Sequence, residues 1–373
     1  MATEIYKFGD LIELTNEKNT SQVYGVEDAI GVNIDKVIVP MRGDNAEKEF
    51  SKFHLVPPKH FAYNPRGSRK LGLGYNNTKN TYIITFNDNV FRVKKSAEKK
   101  VLDTYLFMYL CRQEWDRFAE YISWGSSTEV FDWKEFCDIS IALPDINVQQ
   151  KYVQIYESMI ANQKSYEQGL DDLKLTCDAY LDKLKKECDK QDIGKYIAPC
   201  DLRNESEKLT IENLRGISTE KKFINTKADM MDVSLKNYKI VKQNEFVYVA
   251  DTSRRGDKIA LGFNDSNENI LVSSIYTVFK IIDTDAIDPH YLMMFFTRNE
   301  FDRYARFNSW GSARETFDWS EMCSVKIPIP DIKVQRAIAD IYKVYTERKR
   351  INEQLKQQIK DICPILIKGS LEE

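Results

Sequence analysis

Histidine and paired cysteines are scarce in this sequence, and their scarcity limits the chemistry it can perform. Only three histidines occur, at His54, His60 and His290. A serine nucleophile needs a base within reach, and no histidine recurs in both halves, so a duplicated catalytic triad is excluded. The seven cysteines are scattered, odd in number and without a C-x-x-C pair. They predict reduced thiols of a cytoplasmic protein, not disulfides or zinc ligands.

Long hydrophobic runs and phosphate-binding glycine motifs are also missing. No stretch of about 18 uncharged apolar residues occurs, so no membrane-spanning helix is expected. The first residues, MATEIYKFGD, include acids and no apolar core, so no signal peptide is expected. Neither G-x-x-x-x-G-K-S/T nor a dinucleotide fingerprint is present, so the sequence predicts no nucleotide site in this chain.

Positive charge is concentrated in one segment, although the formal net charge of the chain is −3. Residues 59–100 contain ten Lys or Arg and two acids, a local balance of ten minus two, or +8. A local field of this kind attracts a polyanion more strongly than the total charge suggests. This segment indicates contact with nucleic acid.

An eleven-residue phrase occurs twice, as SWGSSTEVFDW at 123–133 and as SWGSARETFDW at 309–319. Around it, residues 105–156 align with 291–342 without a gap, and 26 of the 52 pairs are identical. Identity this high over some fifty residues indicates an internal duplication. The sequence therefore predicts two similar globular parts, called heads below, in one chain.

The end of each copy has the pattern of a long helix with a heptad seam. Apolar residues alternate at spacings of four and three after Asp145 and again after Asp331, and both aspartates are expected to cap their helices. Arg348 and Asn352 are polar at the seam, a feature that fixes register. Pro364 is expected to kink or end the second helix. The two seams are expected to pack as an antiparallel coiled coil through Tyr156, Met159, Tyr166, Leu170, Leu173, Tyr180, Leu184, Ile338, Ile341, Tyr345, Leu355 and Ile359.

The heads have the sequence pattern of an α+β fold. Residues 80–95 and 268–282 are typical of strands bounded by turns, whereas 103–122 and 289–307 have helical spacing. The fold class is therefore α+β, with a mixed or antiparallel sheet in each head and a pseudo-two-fold internal repeat. The expected boundaries are 1–144 for the first head, 145–190 for the central helix, 191–330 for the second head and 331–373 for the C-terminal helix.

The duplicated phrase favours binding over catalysis. Glu129 and Asp132, like their counterparts in the second copy, lie three residues apart and are more typical of a helix cap than of a glycosidase carboxylate pair. Trp-Gly-Ser puts a flat aromatic ring beside a flexible backbone, which suits a phosphate backbone, although core packing is the alternative for this tryptophan. The second tryptophan of each copy, Trp133 or Trp319, is expected to anchor the loop in the core.

The variable loops carry the candidate base contacts. The halves differ strongly at 20–60 against 200–245 and at 66–85 against 251–270, as expected for a shared scaffold that reads different details. Arginine can read guanine edges, asparagine can read adenine, and lysine and serine can hold phosphates, although a solvated loop is the alternative for each. The candidate DNA-binding residues are Arg66, Ser68, Arg69, Lys70, Asn76, Asn77, Lys79, Trp124, Ser126, Arg254, Arg255, Lys258, Asn264, Trp310, Ser312 and Arg314.

Several segments in fixed order resemble the specificity subunits of type I restriction–modification systems. They are ENLRGISTEKKFINTKADM, NEFVYV, TSRRGDKIALG, SSIYTVFKI and FDWSEMCSVKIPIPDIKVQRAIADI, with HFAYNP as a degenerate counterpart in the first half. The resemblance implies that both heads are target-recognition domains, each reading one half of a bipartite double-stranded DNA target. It implies that the long helices act as spacer and docking site for two modification subunits. It assigns S-adenosylmethionine, ATP and Mg to those subunits and to restriction subunits, with no cofactor and no catalysis in this chain.

Two other functions remain open from the sequence. One is the specificity subunit of a two-component restriction enzyme, and the other is a scaffold that joins two proteins through its heads without DNA. An enzyme is the least favoured class. Salt-dependent DNA affinity separates the scaffold from the DNA-binding functions, because only phosphate contacts release counterions.

Overall fold

The computed structural model divides, by its internal contacts, into two units. Unit 1 comprises Met1–Ser165 and Asn352–Glu373, and unit 2 comprises Tyr166–Ile351. Each unit contains one head and part of each long helix. The residues that the structure describes are 3–41, 43, 49–66, 70–123, 129–226, 233–252, 258–312 and 314–373.

The first head combines short strands with short helices ahead of the long helix α5. Its elements are β1 (Glu4–Lys7), α1 (Phe8–Leu11), β2 (Ile12–Leu14), β3 (Ile30–Val32), β4 (Ile38–Pro40), β5 (His54–Val56), β6 (Phe61–Tyr63), β7 (Leu73–Tyr75), β8 (Tyr82–Ile84), β9 (Asn89–Val93), α2 (Asp103–Leu110), α3 (Gln113–Ile122), α4 (Trp133–Asp138), β10 (Ser140–Leu143) and then α5 (Ile146–Glu187).

The second head repeats this order and is followed by the long helix α9. Its elements are β11 (Lys190–Asp192), β12 (Ile197–Cys200), β13 (Arg215–Ile217), β14 (Phe223–Asn225), β15 (Lys239–Val241), β16 (Glu245–Tyr248), β17 (Leu261–Phe263), β18 (Ile270–Val272), β19 (Thr277–Ile281), α6 (Pro289–Phe296), α7 (Asn299–Phe307), α8 (Trp319–Cys323), β20 (Lys326–Pro328) and then α9 (Ile332–Glu372).

The two heads share one sheet topology, which confirms the predicted α+β repeat. A four-stranded antiparallel sheet has the order β2-β9-β6-β7 in the first head and β12-β19-β16-β17 in the second. At its centre, Phe61 stacks between aromatic rings of β7 and β9 at centroid distances of 4.7 and 4.9 Å. Phe246 does the same in the second head at 4.7 and 5.1 Å. Buried aromatic pairs on neighbouring strands therefore fix the register of both sheets.

The predicted helical segments 103–122 and 289–307 each form two helices instead of one. The breaks fall where Arg112 and Arg298 adopt extended backbone angles, with ψ of 146° and 144°. Both arginines stand at the N-cap of the helix that follows. The break turns the apolar face of each helix pair toward the sheet, and both pairs contribute to the core of their head.

In both heads a glycine packs against a cysteine: Gly9 of α1 lies against α4, and Gly194, in a 3-10 turn at Ile193–Lys195, lies against α8. A Cβ on Gly9 would lie 3.1 Å from the Cβ of Cys137, and one on Gly194 would lie 2.7 Å from the Cβ of Cys323. A side chain at Gly194 would collide with Cys323, whose carbonyl oxygen would lie 2.8 Å from the added Cβ, whereas one at Gly9 would fit only if Cys137 shifted by a few tenths of an ångström. The two cysteines are free and partly buried small residues.

The long helices begin as predicted and pack antiparallel within unit 1. Asp145 accepts a hydrogen bond from the Asn147 N–H at 2.9 Å, and Asp331 accepts one from the Lys333 N–H at 2.8 Å, so both aspartates cap a helix. Near the start of α5, Lys151 pairs with Glu373 at 2.7 Å. Farther along α5, partners come from earlier in α9, so the two helix segments run in opposite directions.

Most predicted seam residues are buried or partly buried, but Tyr180 is an error. Tyr180 is 46% exposed, and Leu181 takes its place in the core at 1%. The buried residues Leu170, Cys177, Leu181 and Leu184 are separated by seven, four and three, so the strict alternation of four and three fails beyond Cys177. A spacing of four where the heptad has three locally unwinds the supercoil that a heptad pattern imposes.

Two polar seam predictions have different outcomes. Asn352 is buried and accepts a hydrogen bond from Gln163 Nε2 at 3.0 Å, which is the register-fixing contact expected. Arg348 is exposed.

Of the two outcomes expected for Pro364, a kink or an end of the second helix, the end is wrong, because α9 continues to Glu372. Proline removes one backbone N–H, and the carbonyl it would have bonded belongs to Lys360, which is exposed to water. Beyond it, Ile367 is fully buried, and the Ser370 hydroxyl lies 2.7 Å from the Tyr105 hydroxyl. These contacts hold the last turns in helical form.

A buried glutamine fastens each long helix to its head. Gln149 is fully buried, accepts from the Leu102 N–H at 3.1 Å, and donates to the carbonyls of Lys100 and Pro144 at 2.7 and 2.9 Å. Gln335 makes the equivalent three bonds in unit 2, at 3.1, 2.8 and 2.8 Å.

Candidate nucleic-acid interface

In each head, a backbone hydrogen bond joins the duplicated phrase to a residue shortly before the basic loop. The Phe131 N–H donates to the Pro65 carbonyl at 2.8 Å, immediately before the loop that contains Arg66. In the second head, the Phe317 N–H donates to the Ala250 carbonyl at 2.9 Å. The sheet scaffold therefore brings together two of the segments that the sequence predicted as binding elements.

The second copy of the phrase forms a tight hairpin that exposes its tryptophan. Trp310 and Thr316 exchange both backbone hydrogen bonds, at 3.1 and 2.9 Å. Gly311 between them has φ of +144°, and a Cβ there would lie 2.1 Å from the Arg314 carbonyl oxygen, so only glycine fits. Trp310 is 63% exposed, which excludes core packing as its role. Ser312 and Arg314 are exposed on the same hairpin.

The tryptophans at the end of the phrase pack on the core, as predicted. Trp133 and Trp319 are partly buried against the aromatic cores of the two heads. The acids of the phrase have structural roles as well. Asp132 caps α4 by accepting from the Lys134 N–H at 2.8 Å, and Asp318 accepts from the Thr316 hydroxyl at 3.1 Å. These roles support the helix-cap interpretation against a hydrolase pair.

The remaining candidates differ in their surroundings. Arg66, Lys70, Asn77 and Lys79 are exposed in the first head. Lys258 is exposed in the second head and forms an ion pair with Glu220 at 2.8 Å. Six candidates fall outside the described residues, namely Ser68, Arg69, Trp124, Ser126, Arg254 and Arg255.

Asn76 and Asn264 are corrections, because both amides are used inside the protein. Asn76 is 1% exposed and donates to the carbonyls of Val56 and Asn80 at 2.9 and 2.8 Å. Asn264 is also 1% exposed and donates to the carbonyls of Val241 and Glu268 at 3.0 and 2.8 Å. Reading adenine needs a free amide N–H, so neither side chain can do it. Both hold a turn at the edge of the sheet.

Part of the +8 segment also serves the fold. Arg92 pairs with Glu13 at 2.9 Å, and the Lys94 ammonium donates to the carbonyl of Gly9. Lys100 lies 4.8 Å from the centre of the Tyr6 ring. These contacts reduce the number of cations available to a polyanion below the sequence-based estimate.

Two buried ion pairs at equivalent places were missed by the sequence analysis. Lys36 pairs with Asp116 of α3, and Lys221 pairs with Asp302 of α7. Burial lowers the pKa of Lys221, and the carboxylate of Asp302 opposes that shift. The available signal was a lysine 30 to 35 residues after the start of each head, followed 80 or 81 residues later by an aspartate.

A pair of exposed aromatic residues was also missed. Tyr121 and Phe307 occupy equivalent positions near the ends of α3 and α7, just before the duplicated phrase, and each is 78% exposed. Among the described residues, no group of three or more histidine, cysteine or acidic side chains is placed to hold a metal ion.

Comparisons with known proteins agree with this architecture. Residues 181–361 match the family model described as the type I restriction modification DNA specificity domain. The S subunit of a type I restriction-modification system from M. genitalium has 12% sequence identity, with 99% of this chain and 96% of that chain covered, at a TM-score of 0.60. The HsdS subunit from Thermoanaerobacter tengcongensis has 10% identity over 99% and 96% of the two chains, at a TM-score of 0.37. No curated protein sequence matches significantly.

The described helices contain no segment that is long and apolar enough to cross a membrane. The matched family region covers the second head, the last seven residues of α5 and α9 as far as Asp361. The first head repeats the same topology strand by strand. Residues 181–361 therefore match the family model of the type I restriction modification DNA specificity domain, and the whole chain has the fold of the S subunit from M. genitalium.

Proposed function

We propose that this chain is the sequence-specific DNA-recognition subunit of a type I restriction–modification complex, in which each head reads one half of a bipartite target. The observation that supports the proposal is the backbone hydrogen bond that joins the duplicated phrase, in both heads, to a residue shortly before the basic loop. The long helices serve as spacer and as docking site for two modification subunits. Restriction subunits join the same complex.

The division of labour within a head follows from what the two copies share. Trp-Gly-Ser is identical in both copies, and identical residues cannot distinguish two different half-sites. This part of the phrase is suited to contacts that both half-sites offer, such as the phosphate backbone. The residues that differ, Arg66 and Lys70 in one head and Lys258 in the other, are suited to sequence-dependent contacts.

Chemistry belongs to the partners in this proposal. The modification subunits bind S-adenosylmethionine and methylate adenine, and the restriction subunits use ATP and Mg. This chain contributes recognition of the target sequence and holds no cofactor. A cytoplasmic location follows from that role.

The test is DNA binding by the complex of this chain with its modification subunits. Affinity for a duplex with both half-sites should fall steeply with salt, by a slope of about 0.9 per phosphate contact on logarithmic axes. Scrambling either half-site should weaken binding strongly. An affinity that depends on neither salt nor sequence would instead favour the scaffold function.

A matched pair of variants localises the effect. Arg314→Ala should lower affinity at one half-site, whereas Lys326→Ala should not, because Lys326 lies on β20, which pairs with β11, and not in the phrase. Equal effects of the two variants would contradict the placement of the interface.

A further inference from the structure

We propose that the buried lysines Lys36 and Lys221 are positioning residues, each of which fixes the basic loop of its own head for one half-site. The inference rests on the proposed function. It adds a specific pair of side chains in each head that touch no DNA and yet determine how that head reads its half-site.

In the first head, one ammonium group joins three segments. Lys36 lies in the turn between β3 and β4, within the strongly divergent segment 20–60. Its Nζ donates to the Leu71 carbonyl at 2.5 Å, one residue after the candidate loop 66–70. The same Nζ pairs with Asp116 of α3, the helix that leads into the duplicated phrase. The hairpin, the residue after the basic loop and the helix before the phrase therefore meet at one buried charge.

The second head repeats this arrangement from a different local sequence. Lys221 lies in the turn between β13 and β14, and its Nζ donates to the Ile259 carbonyl at 2.5 Å and pairs with Asp302 of α7. The Ile259 N–H donates to the same Asp302 carboxylate at 3.1 Å. Both side chains of the ion pair are almost fully buried, at 5% and 7% exposed.

Stability alone is a poor reason for this arrangement. A buried ion pair loses its hydration, and apolar residues of similar size commonly replace such a pair without loss of stability. Both lysines also adopt a left-handed backbone conformation, with φ of +60° for Lys36 and +58° for Lys221, which costs free energy for a residue with a side chain. The directed hydrogen bonds from each lysine to two other segments provide what an apolar pair cannot, namely a fixed orientation.

The ends of the basic loops make orientation important. Arg66 and Lys70 lie between the Pro65 carbonyl, which is bonded to the phrase, and the Leu71 carbonyl, which is bonded to Lys36. Pro65, which precedes the loop, is therefore held by a backbone bond, and Leu71, which follows it, is held by the lysine. Release of the lysine contact would leave the residue after the loop held only by the sheet, and contacts to base edges need tight positioning.

The experiment uses the full complex and a duplex that carries the split target, as mapped by base-resolved methylation. The double variant Lys36→Met/Asp116→Leu removes both charges and keeps the volume. We expect a melting temperature near that of the unmodified chain and a tenfold or greater loss of discrimination between the correct and the scrambled first half-site. Discrimination at the other half-site should stay within about twofold.

The mirror variant Lys221→Met/Asp302→Leu is the matched control, and it should affect only the half-site read by the second head. If the ion pairs had a purely structural role, the double variants would change discrimination at neither half-site, or at both half-sites together. If folded double variants keep full discrimination at both half-sites, the positioning role is refuted.

Two further outcomes are separable. If the unmodified complex shows no discrimination at either half-site, the proposed function itself fails. If Lys36→Met/Asp116→Leu does not fold, Lys36→Gln/Asp116→Asn is judged by the same ratios, because its side chains stay polar but the glutamine is one bond too short for the Leu71 carbonyl. Retained discrimination in that variant also refutes the positioning role.

Discussion

Replacement of Gln149 by methionine should loosen the first head from α5. Methionine keeps the length and volume of the side chain but loses all three hydrogen bonds that Gln149 makes with Leu102, Lys100 and Pro144. At about 1 kcal/mol for each net hydrogen bond, the loss is about 3 kcal/mol. The Pro144 carbonyl is buried and lacks ready access to water, so the loss of its hydrogen bond should cost more free energy than the loss of an average one.

Amide hydrogen exchange measures this loss locally. The N–H of Leu102 donates to Gln149 Oε1, so a peptide containing Leu102 reports directly on the contact. A loss of about 3 kcal/mol corresponds to exchange about a hundredfold faster. Gln150→Ala is the control, because Gln150 is the next residue and is exposed. It should leave exchange unchanged.

The second copy provides a replicate of the same design. Gln335→Met should speed exchange around Asp288, whose N–H donates to Gln335 Oε1 at 3.1 Å, and should leave the Leu102 peptide unchanged. Exchange of the Leu102 peptide in Gln149→Met within about twofold of the unmodified chain would refute the reasoning. The buried glutamines would then not hold the heads to the long helices.

The other predictions concern the long helices and one histidine. Leu181→Ala should lower the free energy of unfolding, measured by chemical denaturation, by about 2–5 kcal/mol, because Leu181 is buried. Tyr180→Ala should lower it by less than about 0.5 kcal/mol, because Tyr180 is exposed. The reverse order would support Tyr180 as the seam residue. A double-mutant cycle of Gln163→Leu and Asn352→Leu should give a coupling of about 1 kcal/mol, and strict additivity would contradict the buried contact. Burial lowers the pKa of His290 below its ordinary 6.5, so the unfolded chain takes up a proton that the folded chain resists. Stability should therefore fall as pH drops below about 6.5. His290→Gln should weaken that fall, measured as the difference between the urea midpoints at pH 7.5 and pH 5.5. A pH dependence that is unchanged in the variant would exclude this histidine as its source.

The duplicated elements were predictable because their sequence signals are local. The gapless match of 105–156 with 291–342 predicted equivalent helices, and the aspartates at the two helix starts predicted caps that the structure confirms. A cap needs only a carboxylate and the next turn of backbone. The strands within 80–95 and 268–282 followed in the same way from turn residues and alternation.

The seam error came from a pattern that depends on more than one neighbour. Tyr180 continues the alternation of fours and threes, but α5 packs against the second head as well as against α9 within unit 2. Leu181 and Cys177 join the core of that head. A helix with two partners buries a face set by both, and a heptad count describes only one of them.

The roles of asparagine and lysine were least predictable, because they depend on contacts between residues far apart in the chain. Asn76 has the chemistry to read a base, and its burial follows only from the turn it closes onto Val56. Lys36 meets partners 35 and 80 residues away. The divergent segments that contain these lysines nevertheless form the same hairpin in both heads.

The most direct test of the central claim is base-resolved methylation of DNA from cells that express this chain with its modification subunits. The account predicts a split motif with methyladenine in each half, absent when this chain is omitted. Exchange of residues 1–144 for the corresponding head of a relative should change one half of the motif and preserve the other. A methylation pattern that is unchanged when the chain is omitted would contradict the reading of DNA by its heads.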